Sequence, residues 1–262
     1  RDLDATLAAR EQAVDLLWKQ IDWDLFVVVV TGTDRLMHFL WDALVSESHP
    51  HHQNCLDYFE KVDLLAGRMF ERFLDLDGSE YGYNTFYMLS DHGFTKIHQE
   101  VHLNRWLQEN GFLKFQADEP MTIMEIGPGS IAFVMDPSRI SIHLKGKYPL
   151  GTVESKDYDR VRNDIKQGLE TLSYNNNGRV VKRVYFKEEL YTGPYLEFAP
   201  DIVALSNHGF DLKGKVSGNA VFGRTELTGM HNQDEAFFFS TSGVKCSSIF
   251  DAKELILEGL SL

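Results

Sequence analysis

The run Leu25-Phe26-Val27-Val28-Val29-Val30 constrains the fold more than any other stretch, because it is apolar throughout, mostly β-branched, and contains no polar residue to break it. Successive side chains of a strand point to opposite faces, so a half-buried strand alternates apolar with polar. A run without alternation reads as a strand covered on both faces, as in a parallel sheet between helix layers. Residues 5–20, just before it, place Leu7, Val14, Leu16 and Leu17 at helical spacing. The expected fold is α/β, with a mostly parallel sheet sandwiched between helices.

The rest of the chain fills in that picture. Residues 54–72 form an amphipathic helix by pattern, with Leu56, Phe59, Val62, Leu65 and Met69 on its buried face. Phe86-Tyr87-Met88-Leu89 and Phe237-Phe238-Phe239 read as further buried strands, and the loop into the first of them carries Asp77-Gly78 and Tyr81-Gly82. Residues 101–110 read as a helix stopped by Gly111, and residues 112–115 as a short strand. Strands are expected over residues 131–135, 140–144, 179–186 and 202–205, and a helix over 158–172. The shorter strands and looser patterning of residues 119–195 suggest a small inserted α+β cap, with residues 1–118 and 196–262 as the core.

Composition narrows the partners. A net charge of −13 argues against nucleic acid or an anionic membrane surface as a bulk electrostatic partner. It leaves room for a phosphate substrate, since bound divalent cations reverse the field locally. Cys55 and Cys246, far apart in sequence, offer neither a disulfide framework nor a thiolate metal cluster, which points to a reducing, cytoplasmic compartment. No stretch is apolar for the length of a membrane span. The chain begins with Arg1 rather than Met, which leaves open that it is a piece of something longer.

Three stretches carry chemistry. In Ser90-Asp91-His92-Gly93-Phe94 a carboxylate and an imidazole follow an apolar run, and Gly93 gives the backbone freedom to turn there. Asp34 and His38 are four residues apart, so on a helical turn they share one face. Thr228-Gly229-Met230-His231 puts a histidine in a Gly-bearing loop before a strand. Each taken singly has a plain alternative: a polar turn for Asp91 and His92, a helix cap and half-buried histidine for Asp34 and His38, a turn cap for His231. His49, His51 and His52, crowded around Pro50, read as a solvated connection.

Taken together, carboxylate and imidazole without thiolate suit a catalytic Zn²⁺, and would also accept Mn²⁺ or Fe²⁺. Five such groups exceed what one open ion needs, so a pair of divalent ions is expected. Two ions roughly 4 Å apart can hold the attacking and leaving oxygens of a phosphoryl transfer, which points to phosphoryl or sulfuryl ester cleavage on a small anionic substrate.

Asp34-xxx-His38, Asp91-His92-Gly93 and Gly229-x-His231, in that order, resemble the metal motifs of the alkaline phosphatase superfamily. The resemblance is to the type I phosphodiesterase and nucleotide pyrophosphatase branch and its predicted phosphohydrolase relatives. Lys145-Gly146-Lys147-Tyr148-Pro149, Tyr191-Thr192-Gly193-Pro194 and Ala199-Pro200-Asp201 also look like stretches of that group. The resemblance implies one ion held by Asp34, His38 and His231, and another held by Asp91, His92 and a further Asp. It also implies a Ser or Thr nucleophile at a helix start ahead of Asp34. About thirty residues precede Asp34 here, and they show no strand ending in Asp followed by a Ser- or Thr-led helix, so the nucleophile is expected in a missing N-terminal segment. Thr31 and Thr33 read as turn residues. Lys145 and Lys147 either meet an anionic group of a substrate or solvate their loop. The expected function is a metal-dependent phosphoric ester hydrolase. A non-catalytic anion- or partner-binding domain on the same scaffold, or a phosphomutase or sulfatase of the same superfamily, stays open as the alternative.

Overall fold

The computed structural model describes residues 2–76, 85–175, 178–224 and 226–260. The expected loop around Asp77-Gly78 and Tyr81-Gly82 lies outside them. The chain divides into two compact units, residues 1–96 with 227–262, and residues 97–226.

The first unit opens with three helices, α1 (Asp2–Gln20), α2 (Gly32–Val45) and α3 (His52–Leu74). Their shared core is Leu7, Leu36, Ala43, Cys55, Tyr58 and Leu65. Lys61 pairs with Asp4 at 2.7 Å, Arg68 with Glu11 at 2.5 Å, and Arg72 with Asp15, so α1 and α3 run parallel with one constant register. Pairs this exposed contribute roughly 0–1 kcal/mol each and serve to fix register more than to stabilise. Pro50 and the exposed His51 sit in the turn before α3, whereas the half-buried His52 begins α3 and its ring donates from Nδ1 to the Ala43 carbonyl at 2.9 Å. The chain continues through β1 (Tyr87–Leu89) and β2 (Gly93–Lys96).

In the second unit β3 (Gln99–His102) leads directly into α4 (Leu103–Glu109). Next come β4 (Ala132–Val134), β5 (Arg139–Ile142), α5 (Tyr158–Thr171), β6 (Val181–Phe186), α6 (Lys187–Leu190), β7 (Ile202–Ser206), β8 (Phe210–Lys213) and β9 (Phe222–Gly223). A four-stranded antiparallel sheet, ordered β4-β5-β7-β6, packs one face on α5, where Ile140, Ile142, Ile165, Leu169, Val184 and Ile202 are fully buried. A three-stranded sheet is ordered β8-β3-β9. Asp201, fully buried after Ala199-Pro200, ties the larger sheet together: it accepts from Ile142 N at 2.7 Å, Tyr158 Oη at 2.5 Å and Lys187 Nζ at 3.0 Å. The chain then returns to the first unit with β10 (Gly229–Asn232), β11 (Phe238–Ser240) and α7 (Ile249–Gly259).

The expectation of an α/β chain holds, and that of a mostly parallel sheet is corrected. Among the described ladders only β3 with β8 is parallel; β1 with β11, β2 with β10, β3 with β9 and the whole larger sheet are antiparallel. Absence of alternation speaks to covered faces, and an antiparallel strand covered on both faces shows it as a parallel one does. The run at residues 25–30 belongs to no described ladder, and Leu25, Val27 and Val29 stand exposed. β-branched composition favours a strand only where neighbouring strands supply the packing. Its start is held by a cluster of the Trp18, Trp23 and Phe26 rings, with centroids 4.7–5.2 Å apart. The Phe86 and Phe237 runs do form β1 and β11, but as a two-stranded ribbon with Met88, Leu89, Phe237 and Phe239 exposed. The helix expected from residue 101 starts at Leu103, and residues 112–115 reduce to a bridge between Phe115 and Ile126.

Candidate metal centre

All five candidate ligands expected from sequence lie in the first unit, carried by three pieces of backbone. Asp34 is in the first turn of α2 and His38 one turn later, so the helix itself aligns them, with His38 Nε2 3.6 Å from Asp34 Oδ1. Asp91 and His92 occupy the turn between β1 and β2. His231 lies on β10 rather than in a loop, directly opposite Phe94 of the antiparallel β2–β10 ladder. Because α2 packs on both β2 and β10, the three sequence motifs meet at one place.

The histidine tautomers follow from backbone carbonyls, which can only accept. His38 donates from Nδ1 to the Gly229 carbonyl at 3.0 Å, and His92 from Nδ1 to its neighbour's carbonyl, Gly93, at 3.2 Å. Both rings therefore present an Nε2 lone pair. His231 Nε2 lies 2.9 Å from Asp34 Oδ1 and 3.0 Å from His38 Nε2, while His92 Nε2 is 3.8 Å from the same Asp34 oxygen. The His92 and His231 rings stack at 3.7 Å with 25° between planes. Burial holds the His231 imidazole below the usual histidine range; the hydrogen bond to Asp34 works against this, and the neighbouring His92 and His38 add to it. The shift is toward the neutral ring, the form that binds metal.

This donor set fits a divalent ion. Two ligands on one tetrahedral zinc, each about 2.0–2.1 Å from it, stand roughly 3.3 Å apart. The pairwise separations within Asp34, His38 and His231 are 2.9, 3.0 and 3.6 Å. Ligand atoms of Asp34, His92 and His231 also lie within 4.8 Å of one another. Asp91 sits at the rim, its side chain mostly in solvent and its Oδ1 3.5 Å from His92 Nε2.

Phe94, a member of the motif to which the sequence assigned no role, forms the buried floor. Its ring meets His38 edge-on at 4.9 Å and His231 edge-on at 5.1 Å, and Trp41 stacks on it at 6.0 Å. Thr228 holds the loop end to α2, accepting from Trp41 N at 2.8 Å and donating its own N–H to the His38 carbonyl at 2.8 Å. Its position just ahead of Gly229 was the available signal. Lys145 and Lys147 lie in the second unit. Lys145 pairs with Glu154 at 2.7 Å, and Lys147 donates to the Glu197 carbonyl at 2.7 Å beside a concavity of about 480 Å³ lined by Gly146, Tyr148 and Phe198. Thr31 stands at the N-cap of α2 without a side-chain capping bond.

The model of the family described as type I phosphodiesterase / nucleotide pyrophosphatase matches residues 2–234. Among solved structures, phosphonoacetate hydrolase from Sinorhizobium meliloti 1021 is similar in two complexes. With phosphonoacetate the identity is 14% and the TM-score 0.48; with phosphonoformate they are 13% and 0.48. Each comparison covers 97% of this chain and 56% of the hydrolase, so the chain spans little more than half the length of that enzyme. No curated protein matches. Since the family match takes in all three motifs and most of the chain, the protein belongs to the type I phosphodiesterase/nucleotide pyrophosphatase family.

Proposed function

We propose that the chain carries the metal centre of a phosphoric ester hydrolase of the phosphodiesterase type, acting on a small phosphorylated substrate. The observation that carries the reading is the convergence of the Nε2 atoms of His38, His92 and His231 on Asp34 Oδ1 at 2.9–3.8 Å. Asp34, His38 and His231 would hold one divalent ion, with Asp91 and His92 contributing to a second. Zinc suits the imidazole-rich set, with manganese as the alternative. Such ions, when bound, offset the charge on a phosphoryl group and lower the pKa of an attacking hydroxyl or water.

The residues themselves supply orientation. The Gly229 and Gly93 carbonyls keep the His38 and His92 lone pairs turned to the ion position, the outer-sphere role that fixes ligand tautomers. Phe94 excludes water from beneath the rings. Residues 119–195, which the sequence suggests as a cap, lie within the second unit. Among the described residues no helix is long and apolar enough to cross a membrane, and we place the protein in the cytoplasm on its two free cysteines.

Because the sequence shows no Ser/Thr nucleophile motif ahead of Asp34, turnover by this chain should be slow. After dialysis against trace Zn²⁺ and Mn²⁺, elemental analysis should find about one or two ions per chain. Hydrolysis of bis(p-nitrophenyl) phosphate should disappear with chelator and return with Zn²⁺. A chain that retains no ion, or hydrolysis that chelator leaves untouched, overturns the reading.

A further inference from the structure

We propose that Asn232 is a positioning residue of this centre, setting the separation of His92 from His231; the proposal rests on the metal-centre reading above. Asn232 follows His231 on β10 and pairs across the ladder with Gly93, which follows His92. It is 5% exposed, and its carboxamide is used from both ends. Oδ1 accepts from Asp234 N at 3.3 Å and Glu235 N at 3.1 Å, while Nδ2 donates to the Phe94 carbonyl at 2.9 Å and to Glu235 Oε2 at 2.5 Å.

The two ends do different work. Oδ1 builds a local turn over residues 232–235, a task that Asp performs as well as Asn. Nδ2 reaches across to β2, and only an amide can do both. The turn lies directly on Gly93: a Cβ there would overlap Asn232 Oδ1 and come within 2.7 Å of Glu235 Cβ. The backbone just past His92 and the backbone just past His231 are thus clamped through one side chain. The consequence is visible in the ring stack of His92 on His231 at 3.7 Å.

Asn232→Asp keeps the turn acceptor and sets a carboxylate against the Phe94 carbonyl and Glu235. In the full chain, Zn²⁺ affinity measured against a chelating dye should fall by about 10–100-fold, the usual effect of losing an outer-sphere partner. The imidazole signals of His92 and His231 in ion-free protein should shift as their stack opens. Adding Glu235→Gln, which supplies an amide donor to the new carboxylate, should recover part of both. Leu65→Ala, in the helical core of the same unit, should lower the melting temperature while leaving affinity and imidazole signals unchanged. Wild-type affinity and signals in Asn232→Asp, or an equal loss in Leu65→Ala, overturn the positioning role. If the wild type binds no Zn²⁺ yet Asn232→Asp shifts both imidazoles, the metal reading falls and the positioning stands.

Discussion

Two histidines, one in each unit, are set up alike. His38 and His102 both donate from Nδ1 to a backbone carbonyl at 3.0 Å, that of Gly229 and that of Ala220. Both turn Nε2 toward a carboxylate, Asp34 at 3.6 Å and Glu100 at 3.5 Å. They differ in what else arrives. At His38 a second imidazole comes within 3.0 Å, a third ring stacks behind it, and the group is open to solvent on one side. At His102 Nε2 has no hydrogen-bond partner among the described residues, and the ring and Glu100 are only 6% and 7% exposed. Asp211, opposite Glu100 in the ladder, is engaged by Lys213 at 2.8 Å. A fixed tautomer facing a carboxylate is therefore common to a candidate centre and to a buried structural pair. Convergence of further donors and access from solvent separate them.

That contrast can be broken in either direction. His231→Ala removes the imidazole common to the Asp34–His38–His231 and Asp34–His92–His231 groups, and Zn²⁺ affinity should fall by about 100-fold or more, beyond what outer-sphere changes produce. Chelator competition on the intact chain measures it, and retention of wild-type affinity would place the ion elsewhere. His102→Ala should leave Zn²⁺ affinity unchanged and instead lower stability in urea by about 1–3 kcal/mol, because the Ala220 carbonyl loses its buried donor. An effect of His102→Ala on the ion would dissolve the distinction between the two arrangements.

The sequence carried the candidate site further than it carried the sheets. Asp34 and His38 were legible because helical periodicity is local, and Asp91-His92-Gly93 because the glycine marks a turn. His231 was legible as a member of the set, but not its place on a strand, since its ladder partner Phe94 is distant in sequence. Asn232 left the same faint trace, an Asn before Asp234 and Glu235, and its reach to the Phe94 carbonyl had no local signal. The long helices α3 and α5 fell close to where periodicity set them. Strand direction was out of reach, because side-chain alternation is the same in parallel and antiparallel ladders.

The same comparison of units applies to their apolar strands, and it yields the two smallest effects. Ile140 is fully buried between the four-stranded sheet and α5. Ile140→Val removes one methylene from a filled site and should lower stability by about 0.5–1.5 kcal/mol, read from urea midpoints at constant slope. Val27, in the run whose pattern predicts a strand covered on both faces, is 67% exposed. Val27→Thr keeps the β-branched shape and adds a hydroxyl that water satisfies there, so the change should stay within about 0.5 kcal/mol. In a covered strand that hydroxyl would be buried without a partner, at about 1–3 kcal/mol. A loss at Val27 exceeding that at Ile140 would mean that the run is covered in solution, as its lack of alternation asks.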